Sequence, residues 1–208
     1  MARISKRERE ETMSITRRLL IESALVEFAR KGFGEANINQ ISVSAGFSKG
    51  TVYNYFPSKQ ALVLTLIAEA GAEHVAYISD RVRAASDPAE RLVRFYQAGF
   101  QFVEEHPDQA RFLLTLLYSP GAELQAAMYN AYQPMFQLVA QDILAAGVAQ
   151  GIFRAVDLPA TTNLLMTIYL GTGSHVDEQG KVFMDPRQVA DFALHALQKV
   201  DGNTSGGG

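Results

Sequence analysis

The sequence predicts an all-α protein. Apolar residues recur at three- and four-residue intervals along most of the chain, and no run keeps the alternation of a half-buried strand. Proline and glycine stand mainly at the breaks between these runs. Between Asn37 and Lys59, two short helices flank a turn that contains Gly46.

Asn37 caps the first of these helices, and Gln40, three residues on, is placed to complete a capping box. Ile38, Ile41 and Ala45 give it one apolar side. Gly46 ends it, because glycine enters the left-handed region without strain. Ser48 caps the second helix, whose inner side is Val52, Tyr55 and Phe56. Pro57 stops that helix, since the residue before a proline avoids helical backbone. Ser58 then caps a long helix running from Lys59 to Ala84 or Ala85. Asp87-Pro88 starts another that ends near His106, and Pro107 opens one that ends around Ser119-Pro120-Gly121. The next reaches Gln150-Gly151, with Pro134 expected to kink it. Pro159 lies near the start of a helix ending at Ser174, Gly180 lies in a loop, and Asp185-Pro186 starts the last, which ends near Val200.

Ile41 in mid-helix, the small Ser42 beside it, Gly46, Phe47 and Val52 stand in the register of a helix-turn-helix. That spacing alone fits a plain helical hairpin equally well. The outer face tips the balance. Lys49, Thr51, Tyr53 and Asn54 are exposed if Val52 and Phe56 are buried, and no Asp or Glu occurs from Gly46 to Pro57. A phosphate-lined groove repels carboxylates and attracts such a face. The expected DNA-contact set is Asn37, Ser48, Lys49, Gly50, Thr51, Tyr53, Asn54, Tyr55 and Lys59. Within it, Thr51, Tyr53 and Asn54 are candidates for base edges or nearby phosphate, and Lys49 and Lys59 for phosphates. Gly50 allows close backbone approach.

Here the chain resembles the TetR family of bacterial one-component transcription regulators. The resemblance is carried by Ala45-Gly-Phe-Ser-Lys-Gly-Thr-Val-Tyr-Asn-Tyr-Phe56, close to the family's core signature, and by Lys59 and Leu62 after it. Upstream, Arg17, Leu20, Ile21, Ala24, Leu25 and Phe28 follow the family's first-helix pattern, and Gly32-Phe33 its closing turn. The strong match covers residues 14–63. Ala36-Asn37 replace the usual pair of threonines, and Ser42 replaces the usual alanine, its hydroxyl able to bond a carbonyl one turn back. The resemblance implies nine helices, an N-terminal three-helix DNA-binding domain and a C-terminal ligand-binding and dimerisation domain. The expected division is 1–57 (with 1–13 a mobile arm carrying Arg3, Lys6 and Arg7), then 58–200, then a flexible tail 201–208.

The charge divides the same way. The chain carries a net −3, but residues 1–59 hold ten Lys/Arg against six Asp/Glu, and residues 60–208 hold nine against sixteen. Positive charge thus gathers around the helix-turn-helix. There is no cysteine, hence no disulfide framework or thiolate metal site. No apolar run reaches bilayer-spanning length, and Met1–Arg7 leads into charges rather than a signal-peptide core. The expectation is a soluble cytoplasmic protein with no membrane contact, no cofactor and no metal.

After Lys59, large apolar residues recur at helical spacing, an arrangement common in plain cores. Given the family's ligand cavity, Phe95, Phe102, Phe112, Tyr132, Phe136, Asn163 and Met166 are candidates to line one for a small apolar or aromatic effector. The last two helices have apolar stripes, and a face buried within one subunit would look the same. The family's four-helix dimer bundle favours Leu165, Ile168, Tyr169, Val189, Phe192, Ala193 and Ala196 as an interface. His74, His106, His175 and His195 are scattered, and no glycine-rich cradle follows a strand, so an enzyme is not expected. The functional expectation is a homodimeric, ligand-released repressor on a near-palindromic operator. Its alternatives are an activator of the same fold or a helical protein-interaction module.

Overall fold

The computed structural model describes residues 5–117 and 121–198. Arg3, Ser119, Pro120, Val200 and the tail 201–208 lie outside the described residues. Nine helices are present among the described residues: α1 (Lys6–Glu35), α2 (Ile38–Ser44), α3 (Lys49–Tyr55), α4 (Lys59–Arg83), α5 (Pro88–Glu105), α6 (Pro107–Leu117), α7, α8 (Leu158–Gly173) and α9 (Pro186–Leu197). Helix α7 is continuous but changes pitch. It is α-helical over Ala122–Gln137, π-helical over Leu138–Ala145 and α-helical again over Ala146–Ala149. Pro134 sits inside its first stretch, where it cannot donate to the carbonyl one turn back. Among the described residues, strand pairing is limited to an isolated antiparallel bridge between Val176 and Val182, around the loop of Gly180.

The helix starts follow from local chemistry. The side chains of Asp87, Asp157 and Asp185 accept from the backbone N–H groups of Glu90, Ala160 and Arg187 at 2.8–2.9 Å. Ser58 Oγ accepts from Ala61 N at 3.0 Å. One start differs from expectation. The chain is helical from Lys6 and not an arm up to residue 13, because Ser5 and Glu8 form a reciprocal capping box.

The helices group into two compact units, and neither is one stretch of chain. The first contains residues up to Glu73 together with His106–Ala131. In it α1 packs on α6, where the Phe28 ring meets that of Phe112 at 6.2 Å, and Leu62, Val63, Leu66 and Ile67 of α4 are buried. The second contains His74–Glu105 and the chain from Tyr132 onward. There α9 and α8 pack on α5, and α8 also packs on the π-helical part of α7. Its core includes Phe95, Tyr96, Phe100, Phe102, Ile143 and Met166.

Helix α4 corrects one expectation. Its 25 residues contain a window of mean hydropathy 1.4, long and apolar enough by length and composition alone to cross a membrane, and 44% of that window is buried. Its apolar side faces its neighbours in each unit. Glu69, Glu73 and His74 bond to side chains of other helices, as polar groups of a core helix must.

Candidate nucleic-acid interface

Helix α2 ends in a complete Schellman turn: Phe47 N donates to Ser42 O at 2.8 Å and Gly46 N to Val43 O at 3.0 Å, with Gly46 at φ 79°. The buried Ser42 hydroxyl donates to Asn39 O at 2.8 Å. Across the turn, Ser48 caps α3, its Oγ accepting from Thr51 N at 3.2 Å and bonding Thr51 Oγ1 at 3.0 Å. Ile38, Ile41, Val52 and Phe56 are buried and fix the crossing of the two helices.

The capping box expected between Asn37 and Gln40 does not form. Asn37 Oδ1 accepts from Asn39 N at 2.9 Å, but the Asn37 N–H goes to Glu27 Oε1 of α1 at 3.2 Å. Gln40 instead bonds Ser44. Glu27 is a buried carboxylate that also pairs with Arg30 and Lys31, both at 3.0 Å. Burial alone would raise its pKa. The hydrogen bonds from Arg30, Lys31 and the Asn37 N–H, with the charge of Lys31, outweigh that and hold it below the ordinary 4.5. Ser23 Oγ adds a bond to Ile41 O at 2.9 Å, so α1 grips α2 at two points.

Because the folded pKa of Glu27 is depressed, its stabilisation is complete above pH 4.5 and is lost as pH falls through the folded value. Glu27→Gln should therefore lower stability at pH 7 by roughly 1–3 kcal/mol and flatten the acid limb of the stability curve below pH 4.5. Urea melts between pH 3 and 7 check both.

The outer face of α3 is brought together as expected. Lys49, Gly50, Tyr53 and Asn54 are exposed on one side of the helix, and Thr51 and Tyr55 flank them half-buried. Tyr53 keeps 42% of its surface open, and the Lys49 ammonium lies 5.9 Å from its ring centroid. The acid-free stretch is longer than the turn region, since no Asp or Glu occurs from Ala36 to Ala68. Asn37 and Ser48 act here as helix caps. Half-buried Lys59 makes contacts within the chain: its Nζ donates to Gly34 O at 2.9 Å and lies 5.0 Å from the Phe33 ring centroid. It ties the start of α4 to the end of α1.

Residues 20–66 match the sequence profile of bacterial regulatory proteins of the TetR family. The chain belongs to the TetR family. This TetR regulator is 28% identical over 145 residues to the transcriptional repressor KstR2 of Mycobacterium tuberculosis H37Rv, covering 65% of this chain and 68% of that one. It is 29% identical over 168 residues to the regulator EthR of Mycolicibacterium smegmatis, covering 79% and 74%. Its fold matches that of the transcriptional regulator FadR of Bacillus subtilis, solved in complex with stearoyl-CoA, with a TM-score of 0.75 at 17% identity, over 88% of this chain and 98% of that one. The protein is thus a DNA-binding transcriptional regulator, not an enzyme.

The TetR regulator's other expected residues are placed less uniformly. Phe95, Phe102, Tyr132 and Met166 are buried together in the second unit, with Phe136 half-buried. Phe112 is not among them, because it packs on Phe28 in the first unit. Asn163 is exposed, its amide donating to Pro159 O at 3.0 Å. Of the expected interface, Leu165, Tyr169, Val189 and Ala193 are buried within the unit itself, since both helices turn these positions inward. Phe192 (69% exposed), Ala196 and half-buried Ile168 remain on the outside, beside Leu164 (64% exposed).

The second unit also holds a polar cluster absent from the sequence expectations. His74 Nδ1 lies 2.7 Å from the Tyr132 hydroxyl and Nε2 2.9 Å from that of Tyr169, with the imidazole stacked on Phe102 at 4.1 Å. A satisfied core histidine leaves no local pattern. Among the described residues, no group of three or more His, Asp or Glu side chains could hold a metal ion.

Proposed function

We propose that this regulator is a homodimeric repressor that binds a near-palindromic operator through α3 and is released by a small apolar or aromatic effector. The outer face of α3 is the observation that carries the reading: a lysine, a tyrosine and an asparagine exposed side by side on a helix capped by Ser48 and preceded by the Schellman turn that ends α2. A groove-reading helix needs donors without carboxylates and a rigid seat. Lys49 supplies the phosphate contact, and Tyr53 and Asn54 reach base edges or adjacent phosphate. Lys59 supports the site by holding α1 to α4.

Two-fold pairing follows from the surface left on α8 and α9. Leu164 and Phe192 are large apolar side chains open to solvent, and a second copy covers them. An open cavity of about 590 Å³ lies near the end of α8, lined by Val176, Phe183 and Met184 among others. The repressor KstR2 supports the sign of regulation, and the stearoyl-CoA complex of FadR supports an apolar effector. The effector acts through α4, one unbroken helix that begins beside α3 and continues into the second unit. It must bind the released conformation better than the DNA-bound one. The regulator acts in the cytoplasm, where its operator lies.

Selection of bound duplexes from a random pool tests this reading. The expected product is a two-fold-related pair of half-sites, and Asn54→Ala should relax preference at one or two positions per half-site. An enriched site without two-fold symmetry contradicts the dimer, and no enrichment contradicts base reading by α3.

A further inference from the structure

We propose that the hydroxyls of Tyr132 and Tyr169, joined through His74, form the polar contact of the effector site, and that the effector is an apolar molecule carrying a carbonyl-type hydrogen-bond acceptor. The inference rests on the reading of the second unit as the effector-binding part.

It follows from counting protons. A neutral imidazole donates from one nitrogen and accepts at the other. With the two hydroxyls, the cluster holds three donor protons, but only two hydrogen bonds join its members. Whichever tautomer is present, the tyrosine that accepts from His74 keeps an unused O–H. If the imidazole is charged, both tyrosines keep one. Tyr132 and Tyr169 are 8% and 3% exposed, and buried donors are paired as a rule. No second hydrogen bond to either tyrosine hydroxyl is present among the described residues. Burial raises the pKa of both hydroxyls, with the mutual charge of Tyr169 adding to the effect at Tyr132, so each stays protonated at neutral pH.

The surroundings set the ligand class. Phe102 stacks on His74, and Phe95 lies 5.1 Å from the Tyr169 ring, so the rings against the cluster suit an uncharged apolar body. A second unused hydroxyl lies on the same inner stripe of α8: Thr162 Oγ1 is buried without a partner. Seven residues before Tyr169, it stands about 10 Å away along the helix, with Leu165 and Met166 between them. The helix that carries Tyr132 is the irregular one. Pro134 interrupts the hydrogen bonding of α7 two residues later, and the π-helical stretch follows from Leu138. Gly99 lets Tyr169 lie against α5, since an added Cβ would stand 2.2 Å from its ring.

The test uses the full chain without DNA, so its outcome is separate from that of operator binding. Ketones from acetophenone to decan-2-one are compared with hydrocarbons in which CH2 replaces the carbonyl. The chain has no tryptophan, so binding is read from tyrosine fluorescence. At least one ketone should bind about tenfold more tightly than its hydrocarbon, the worth of one buried hydrogen bond. Tyr132→Phe or Tyr169→Phe should bring that ratio close to one. The wild-type protein gives a second readout, because the infrared stretch of a bound 13C-labelled carbonyl should fall below its value in hydrocarbon solvent. No binding by any ketone, a ratio unchanged in both variants, or an unshifted carbonyl overturns the proposal and leaves the spare hydroxyl to water.

Discussion

Gly99→Ala should destabilise the regulator by about 3 kcal/mol or more, the upper part of the overpacking range, and lower its Tm by roughly 10 °C. The added Cβ would lie 2.2 Å from Cε2, 2.8 Å from Cζ and 2.9 Å from the hydroxyl oxygen of Tyr169. The ring cannot simply withdraw. It is 3% exposed, 5.1 Å from Phe95, and its hydroxyl is held by His74. Movement gives up a buried hydrogen bond and contacts on α5. Gly34→Ala is the control. A Cβ there meets nothing within 4 Å, so its effect should stay within about 0.5 kcal/mol. Thermal denaturation followed by circular dichroism separates the two variants.

Lys49→Glu should sharply weaken operator binding while leaving the fold intact. Position 49 is the first residue of α3, where a carboxylate favours the helix N-terminus. The same carboxylate would be the first acid between Ala36 and Ala68, on a face that must approach phosphates. Loss of one phosphate contact and gain of one repulsion in each subunit should lower affinity on the order of a hundredfold at physiological salt. Fluorescence anisotropy with the selected operator measures the loss, and an unchanged Tm confirms that it is not unfolding.

The helix-turn-helix was legible because its determinants are local. Gly46, Ser48, Ser58, Asp87 and Asp185 each act within five residues, and the structure places them in those roles. The start of α1 was equally local, since Ser5 and Glu8 have capping-box spacing, and the dense charge around them hid the signal. Other features were beyond sequence reasoning for a physical reason. Glu27 takes the Asn37 N–H from ten residues away, and no short pattern marks such a bond. His74, Tyr132 and Tyr169 meet from α4, α7 and α8. Helical periodicity shows that a helix has an apolar side without saying what covers it. Leu165, Tyr169, Val189 and Ala193 therefore read as interface but face the core, and Phe112 reads with the second unit's aromatics but packs on Phe28.

The proposed function requires α3 to bind DNA through its exposed basic and polar face. The most direct test is the slope of log affinity against log salt for the full chain on its selected operator. A steep negative slope is expected, and Lys49→Ala should reduce its magnitude by about one unit per subunit. A slope near zero, or one that Lys49→Ala leaves unchanged, would contradict it and point to a protein partner gripped through Tyr53, Tyr55 and Phe56.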